Sequence, residues 1–257
     1  MDQARGLERV GRTVLGFLDE TGRLTLLLYR TIRWIARGTI EPQQTLRQMA
    51  RLGVESLPII IITGTFAGMV LAFQTARQLI QFGAPSFVGG IVALSLAREA
   101  APVFTAVTAA GRIGAGIAAE IGTMAVTEQI DALRVQATDP VRYLVVPRVL
   151  AGIFMLPLLT VFAHLAGLVG GLAVAAVAGV EPAMYASSVQ RFLRPYDYLS
   201  GLVKAASFGV IIALIGSYRG LATQGGAEGV GRAATASVVT AIVLILVWNY
   251  FLDLLLF

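Results

Sequence analysis

The sequence has no cysteine, a single histidine and little charge. The lack of cysteine excludes disulfides and sites in which thiolates bind a metal or carry redox chemistry. With His164 as the only histidine, a metal site or catalytic triad built on histidines is not supported. Charged residues make up 14% of the chain, against about 25% in soluble domains. Because 56% of residues are hydrophobic and the mean hydropathy is +0.77, we predict an integral membrane protein. Since the sequence shows no phosphate-binding loop, no nucleophile-base pair and no metal cluster, we expect no enzymatic activity of its own.

Five segments are apolar enough to cross a bilayer, which takes about 20 residues of helix. The third has no charge over 32 residues, so it is either one tilted span or a span joined to a re-entrant or interfacial piece. The sequence therefore predicts an all-α membrane protein with about five transmembrane helices. These segments cover residues 57–76, 86–111, 149–180, 198–218 and 233–252.

Basic residues flank these segments unevenly, and this bias predicts the orientation. With the N-terminus inside, 14 Arg residues lie on the cytoplasmic side, against four basic residues on the other side. We therefore expect a cytoplasmic N-terminus and a C-terminus on the outer, periplasmic side. The net charge of +5 suits anionic lipid better than nucleic acid, because the basic residues border apolar spans. No signal or transit peptide is evident, which favours a bacterial inner membrane.

Residues 1–52 form an N-terminal segment that precedes a transmembrane domain over residues 53–257. Its basic, amphipathic pattern predicts a helix lying on the membrane surface, with Trp34 at the headgroup level. The alternative is a cytoplasmic helix packed on a partner. The apolar positions at helical spacing are Leu7, Val10, Val14, Phe17, Leu18, Leu24, Leu28, Ile32 and Ile35.

The stretch EIGTMAVTEQIDAL, residues 120–133, predicts a short helix between the second and third spans. Thr127 can cap its start and Glu128 then lies in its first turn, where negative charge is favourable. We expect the helix to run to about Ala137, before an Asp-Pro stop. Such a helix either packs against the span ends of its own chain or docks a soluble partner.

Two adjacent charges, Arg98 and Glu99, interrupt the second predicted span. Charges inside a membrane are costly and face a cavity or another charge. One hypothesis is a structural ion pair with a further charge such as Arg112 or Glu120. The other is that Arg98 binds a lipid phosphate, because a guanidinium binds phosphate through two hydrogen bonds and keeps its charge.

Other polar residues in or near the spans carry weaker expectations. Gln74 and Arg77 end the first span and could border a lipid path. His164 is expected to be buried and hydrogen-bonded. Glu55 and Lys204 are expected at the membrane interface.

Glycines along the first two spans have small-residue spacing that predicts close helix packing. The run GRIGAG is not a phosphate-binding loop, since it lacks the Lys-Ser/Thr ending and follows no strand. The glycines are Gly64, Gly68, Gly111, Gly114, Gly116 and Gly122.

Four segments in order resemble the MlaE (YrbE) permease family of ABC-type lipid transporters linked to MCE proteins. The longest combines the Arg-Glu pair, GRIGAG, AEIGTM and EQIDAL at set spacing. The resemblance covers residues 64–239 and is weakest over the first 50 residues. The segments are GTFAGMVLAFQ (64–74), ALSLAREAAPVFTAVTAAGRIGAGIAAEIGTMAVTEQIDAL (93–133), DPVRYLVVPRVLAG (139–152) and GVGRAATASVV (229–239).

This resemblance implies a permease subunit that moves phospholipid between the membrane and an MCE-domain protein. It implies two copies of the permease, a cytoplasmic ATPase that holds ATP and Mg²⁺, and in some systems a small regulatory subunit. It also identifies the helix near residue 130 as the coupling helix that docks the ATPase, and favours lipid as the ligand of Arg98. The implied coupling residues are Thr127, Glu128, Gln129, Asp131 and Leu133.

Two other functions are compatible with a membrane protein of this composition. A non-transporting scaffold would have little reason to keep charges within the membrane unless they pair internally. A secondary carrier should show inverted repeats and paired broken helices, and the sequence shows neither.

Overall fold

The computed structural model describes residues 2–38 and 41–257, with side chains from residue 15 onward except that of residue 17. Every regular element in these ranges is helical. Short 3₁₀ turns precede α3 and α4, and π-helical segments lie before α5, α6 and α8. The helices are α1 (Asp2–Ala36), α2 (Pro42–Gly53), α3 (Leu57–Gln81), α4 (Val88–Ser95), α5 (Ala101–Ala109), α6 (Ala115–Val126), α7 (Gln129–Val135), α8 (Val146–Val177), α9 (Pro182–Phe192), α10 (Pro195–Leu221) and α11 (Gly226–Leu256).

Five continuous helical stretches are long and apolar enough to cross a membrane, as the sequence predicts. The first three are longer than expected, and the first begins at Pro42 rather than near residue 57. The second runs over Pro85–Val126 rather than ending near residue 111, and the third is one unbroken helix over Val141–Val177 without a re-entrant piece. The other three stretches are Pro42–Gln81, Pro195–Leu221 and Gly226–Leu256.

A π-helical segment, Leu96–Ala100, lies within the second span and holds the Arg-Glu pair. Pro102 accounts for it in part, because proline has no N–H to donate to the carbonyl of Arg98 four residues earlier. That carbonyl instead accepts a hydrogen bond from Lys204 Nζ, 3.1 Å away. The irregular turn therefore offers the backbone of the second span to a charge on α10.

Close packing of α3 on α8 depends on small residues. A Cβ atom at Gly64 would lie 2.6 Å from the Ala163 carbonyl oxygen, and one at Gly68 would overlap the backbone of Gly167. The predicted role in packing is thus confirmed for both glycines.

Among the other predicted packing glycines, the outcome is mixed. Gly122 confirms the prediction, since a Cβ there would lie 2.9 Å from Thr223 Oγ1. Gly114 has only ordinary contacts nearby, and a Cβ at Gly111 or Gly116 would meet no atom within 4 Å. The prediction is therefore wrong for these last two within the chain.

A short helix that the sequence analysis missed, α9, links the third and fourth spans. Pro182 occupies its first turn, where the missing N–H has no cost. The helix packs against α4, because Gly89 lets the backbone of Tyr185 approach closely. Its 11 residues are too few and too polar to register as a span.

The N-terminal helix α1 packs one face on the bundle and leaves apolar side chains on its other side. Leu27 and Thr31 are buried, whereas Leu26 and Tyr29 are about 60% exposed. Trp34 Nε1 donates to Asp139 Oδ2 at 3.2 Å, which fixes α1 to the loop after α7. The helix is confirmed, and its place on a membrane surface stays a prediction.

Four apolar positions in the first half of α1 carried part of that interfacial pattern. Their side chains, those of Leu7, Val10, Val14 and Phe17, lie outside the described residues.

Candidate functional sites

Lys204 is the centre of a charge cluster between the second span, α10 and α11. Its side chain is fully buried, and its ammonium contacts the carboxylates of Glu99 and Asp253. Lys204 thus faces other helices of its own chain, and its place at the membrane interface stays a prediction. A charge removed from water needs such compensation, because an isolated buried ion costs far more than a polar group.

Asn249 connects the two carboxylates that face Lys204. Its Nδ2 atom donates to Glu99 Oε2 at 2.9 Å and to Asp253 Oδ2 at 3.1 Å. Asn249 and Asp253 lie four residues apart on α11 and therefore on one face of that helix. The cluster thus joins the second span to the last one.

Arg98 forms a second ion pair beside this cluster. Its Nε and Nη2 atoms donate to Asp197 Oδ1 at 2.8 and 2.5 Å. The other oxygen of this buried carboxylate accepts the N–H of Arg194 at the start of α10. The guanidinium also lies 4.3 Å from the ring centroid of Phe257. Arg98 is therefore held by a carboxylate, a helix start and an aromatic face.

The cluster contains two cations and three carboxylates, so it has an excess of negative charge when all five are ionised. Arg98 and Glu99 are its most accessible members, with side chains 37% and 44% exposed. Arg98 Nη1 has no acceptor within the described part of the chain. Both charges are paired, and a lipid role for either residue stays a prediction that depends on these accessible edges.

The partners first expected for Arg98 and Glu99 belong to other pairs. Arg112 pairs with Glu55 at 3.3 Å, so Glu55 bonds to the second span. Glu120 lies between Arg51 at 2.9 Å and Arg148 at 3.0 Å. The expected pairing with Arg112 or Glu120 is wrong because both lie toward the α7 end of the same helix, whereas Arg98 meets α10.

Two further predicted lipid residues lie apart from the cluster. Gln74 and Arg77 are exposed on α3, and neither forms a hydrogen bond or ion pair with any described side chain. The structure does not bring them to Arg98. Their role beside a lipid path stays a prediction.

His164 is buried on α8, as expected, but the prediction that it forms a hydrogen bond is wrong. Neither ring nitrogen has a partner among the side chains that the structure describes. The ring instead lies edge-on to Tyr198, with centroids 5.3 Å apart.

The short helix between the second and third spans is α7, and it begins one residue later and ends two residues earlier than predicted. Thr127 does not cap it, because its hydroxyl donates to the Thr123 carbonyl at 2.8 Å and so belongs to the end of α6. Glu128 stands at the N-cap with φ +61°, and Ala137 follows the helix with φ +57°. Two left-handed residues therefore turn the chain sharply on either side of α7.

One face of α7 is anchored and the other projects from the protein. Ile130 is 5% exposed and Leu133 packs partly against the same core. Gln129 and Asp131 are exposed, and Val135 is 88% exposed. Leu133 is half-buried against the core, and its expected contact with a partner stays a prediction.

Residues 45–255 match the Permease MlaE family, a range that holds nearly all of the five apolar stretches, together with α7 and the charge cluster. The chain belongs to the MlaE permease family. It is 49% identical to a probable ABC transporter permease of Synechocystis over 87% of this chain and 85% of that protein. It is 36% identical over 98% of this chain to the intermembrane phospholipid transport system permease protein MlaE of Haemophilus influenzae, of which 97% is covered.

A plant relative extends the similarity of this MlaE permease beyond bacteria. The chloroplastic protein TRIGALACTOSYLDIACYLGLYCEROL 1 of Arabidopsis thaliana is 40% identical over 85% of this chain and 63% of its own length. The family resemblance drawn from the central motifs is thus confirmed. An ABC transporter permease is a membrane subunit that works with an ATPase and is not an enzyme itself. The matched range leaves out α1, where the sequence resemblance is weakest.

Several residues of this MlaE permease's sites escaped the sequence analysis. Asp197, Asn249 and Asp253 complete the charge cluster, and Val135 is the most exposed apolar residue of α7. The two aspartates had a usable signal, because both stand at the ends of apolar segments where a partner charge is needed. Val135 had none, since helical periodicity alone does not say which face meets the bundle.

Proposed function

We propose that this chain is the transmembrane subunit of an ABC transporter that moves phospholipid between its membrane and an MCE-domain protein on the outer side. The observation that carries the proposal is α7, a short rigid helix that projects between two spans. A partner ATPase, which holds ATP and Mg²⁺, would dock on α7 and move the second and third spans as rigid bodies. Phospholipid as cargo rests on the name of the Haemophilus influenzae relative.

The proposed orientation puts α1 and α7 on the cytoplasmic side and the C-terminus on the outer side of a bacterial inner membrane. Support comes from the excess of Arg on the α7 side. Contacts also place α1 at that end of the bundle, since Arg219 near the end of α10 pairs with Glu20 at 2.5 Å. The charge cluster then lies toward the outer half, where cargo would leave for the partner.

We further propose a homodimer with a lipid cavity between the two copies, and a small cytoplasmic subunit in some assemblies. The last span supports this, because α11 leaves much of its surface uncovered by its own chain. Val239, Val243 and Val247 are each more than half exposed along one side of it. An unpartnered transmembrane face can meet lipid or a second copy.

Docking on α7 is tested by co-expressing the chain with its ATPase and measuring how much ATPase co-purifies. Val135→Arg adds charge and bulk to the outward face, and Val177→Arg is the matched control, since Val177 is 92% exposed at the far end of α8. We expect Val135→Arg to lower retained ATPase about tenfold, as when an interface residue worth about 1.4 kcal/mol is lost. Normal retention and lipid-coupled ATP hydrolysis in Val135→Arg would reject the docking role. Leu133→Asp is a poor test, because it also damages the core.

The lipid role of Arg98 needs a paired design. Arg98→Ala alone would leave the buried Asp197 carboxylate without its partner, so any loss could be structural. The double variant Arg98→Gln/Asp197→Asn removes both charges together, with Asp197→Asn as its control. If Arg98 holds a lipid phosphate, the double variant should retain less phospholipid than the control by mass spectrometry. Equal retention in both would remove Arg98 from the lipid path.

A scaffold without transport remains the second candidate, and one observation favours it. The charges inside the membrane pair internally, which a purely structural protein could also require. Reconstituted transport decides between the two, because a scaffold moves no labelled phospholipid when its ATPase hydrolyses ATP.

A further inference from the structure

A cavity of about 660 Å³ opens between α1, the loop after α7 and the end of α10. It is separate from the charge cluster, which lies at the opposite end of α10. Leu26, Leu27 and Leu221 form apolar parts of its wall, and Arg23, Arg30 and Arg134 stand around it. Its lining therefore combines apolar and cationic side chains.

Of these three cations, only Arg30 has no pairing partner among the described residues. Arg23 pairs with Asp19 at 3.0 Å and Arg134 with Asp131 at 2.8 Å. Arg30 is exposed and forms no ion pair or hydrogen bond with any described residue. Arg23 and Arg30 are seven residues apart on α1, so they lie on one side of the helix about 10 Å apart. Arg30 can therefore bind an external anion without breaking an existing pair.

The carboxylate in the cavity wall, that of Asp139, has both of its oxygens occupied by neutral donors. Asp139 Oδ2 accepts from Trp34 Nε1 at 3.2 Å, and Oδ1 accepts from the Val141 N–H at 2.8 Å. Asp139 thus fixes the loop that forms one wall. Arg30 is therefore the group at the opening that can contact a negative ligand.

The exposed side of α1 indicates what kind of anion the cavity binds. Leu18, Leu26 and Tyr29 are 58–61% exposed along the helix beside the cavity. A helix with exposed apolar side chains and free arginines suits the boundary between headgroups and acyl chains. Basic pockets among helices at this level bind anionic lipid headgroups.

We propose that this cavity is a binding site for the headgroup of an anionic glycerophospholipid. Its phosphate lies against Arg30, and its glycerol and upper acyl carbons lie along Leu26 and Leu27. This lipid is a fixed ligand that ties α1 to the α7 loop, distinct from any cargo. The site depends on the contacts of α1 and not on the transport activity.

The test uses the purified full chain in a neutral detergent, titrated with phosphatidylglycerol or phosphatidylcholine and followed by native mass spectrometry. Arg30→Gln removes the free cation, and Arg30→Lys keeps the charge. Arg33→Gln is the matched control, since Arg33 is also exposed and unpaired among the described residues on the same helix but does not line the cavity. One arm contains millimolar inorganic phosphate to separate a lipid from a free anion.

The wild type should bind phosphatidylglycerol more tightly than phosphatidylcholine. Arg30→Gln should weaken the affinity for phosphatidylglycerol about fivefold, which is the contribution of one basic residue near an anionic lipid. Arg33→Gln and Arg30→Lys should change this affinity less than about twofold. An equal loss in Arg33→Gln, or no lipid preference in the wild type, would overturn the proposal. Displacement of the lipid by phosphate would show a site for free anions and overturn it too. So would loss of co-purified ATPase in Arg30→Gln with unchanged lipid binding, because the cavity would then serve the partner protein.

Discussion

Replacing Lys204 by methionine should destabilise the protein strongly. Methionine has similar length and fills the same buried space, but it leaves the Glu99 and Asp253 carboxylates facing each other with only an amide between them. Removing one member of a buried ion pair costs about 3–5 kcal/mol. The two carboxylates are 44% and 32% exposed, so water relieves part of this cost, and we expect about 3 kcal/mol.

The assay is thermal unfolding of the detergent-solubilised chain, followed by circular dichroism. For a chain of this size, about 3 kcal/mol corresponds to a fall in Tm of roughly 6–12 °C. The matched control is Arg232→Met, which breaks an exposed pair with Glu228 and should cost less than about 1 kcal/mol.

A compensated variant separates charge from packing. Lys204→Met combined with Glu99→Gln and Asp253→Asn removes all three charges and should recover stability to within about 1 kcal/mol of the wild type. A single variant that melts within 2 °C of the wild type, or a triple variant as unstable as the single one, would refute the electrostatic reasoning.

Four smaller changes test other parts of the structure in the same unfolding assay. Gly68→Ala should lower the free energy of unfolding by about 1–3 kcal/mol or more, because its methyl group would overlap the Gly167 backbone. Gly22→Ala, with no atom within 4 Å of its Cβ, should raise it by about 0.5–1 kcal/mol. Ala137→Gly should gain about 0.5–1 kcal/mol by relieving the left-handed backbone at φ +57°, and a loss would show that the turn is not strained. Burial raises the pKa of Tyr185, on α9 outside the spans, to about 12. The unfolded chain therefore loses the phenol proton near pH 10 while the folded chain keeps it, so the free energy of unfolding should fall from about pH 10 to 12. It should fall less in Tyr185→Phe, and identical pH profiles would contradict this.

The sequence was sufficient to predict the membrane class and the number of apolar helices. Each apolar run exceeds the thickness of a bilayer, and a lipid environment permits only helices for such runs. It was insufficient for where the second and third spans end. Both helices continue past the apolar run into charged segments, and residues such as Glu120 are accommodated there by Arg51 and Arg148.

The existence of α7 was predictable, whereas its start was not. The stretch has strong helix formers and a threonine at a plausible cap position. In the structure the Thr127 hydroxyl donates to the carbonyl of Thr123, four residues earlier on α6. Whether a threonine caps the next helix or bonds back to the preceding one depends on how the preceding helix ends. The outward face was also missed, since only the packing of Ile130 on the bundle determines that Val135 projects.

The partners of Arg98 and Glu99 depend on contacts about 100 residues apart in sequence, and one local feature explains why they meet α10. Pro102 leaves the Arg98 carbonyl without its usual donor, and the surrounding turn widens into a π-helix. A buried acceptor of this kind must be satisfied, and Lys204 satisfies it from α10 while neutralising Glu99. The same ammonium thus satisfies a backbone carbonyl and pairs with the carboxylates of Glu99 and Asp253. Pro102 and Lys204 therefore act together in the fold, a link that local sequence patterns do not show because the two residues lie far apart in the chain.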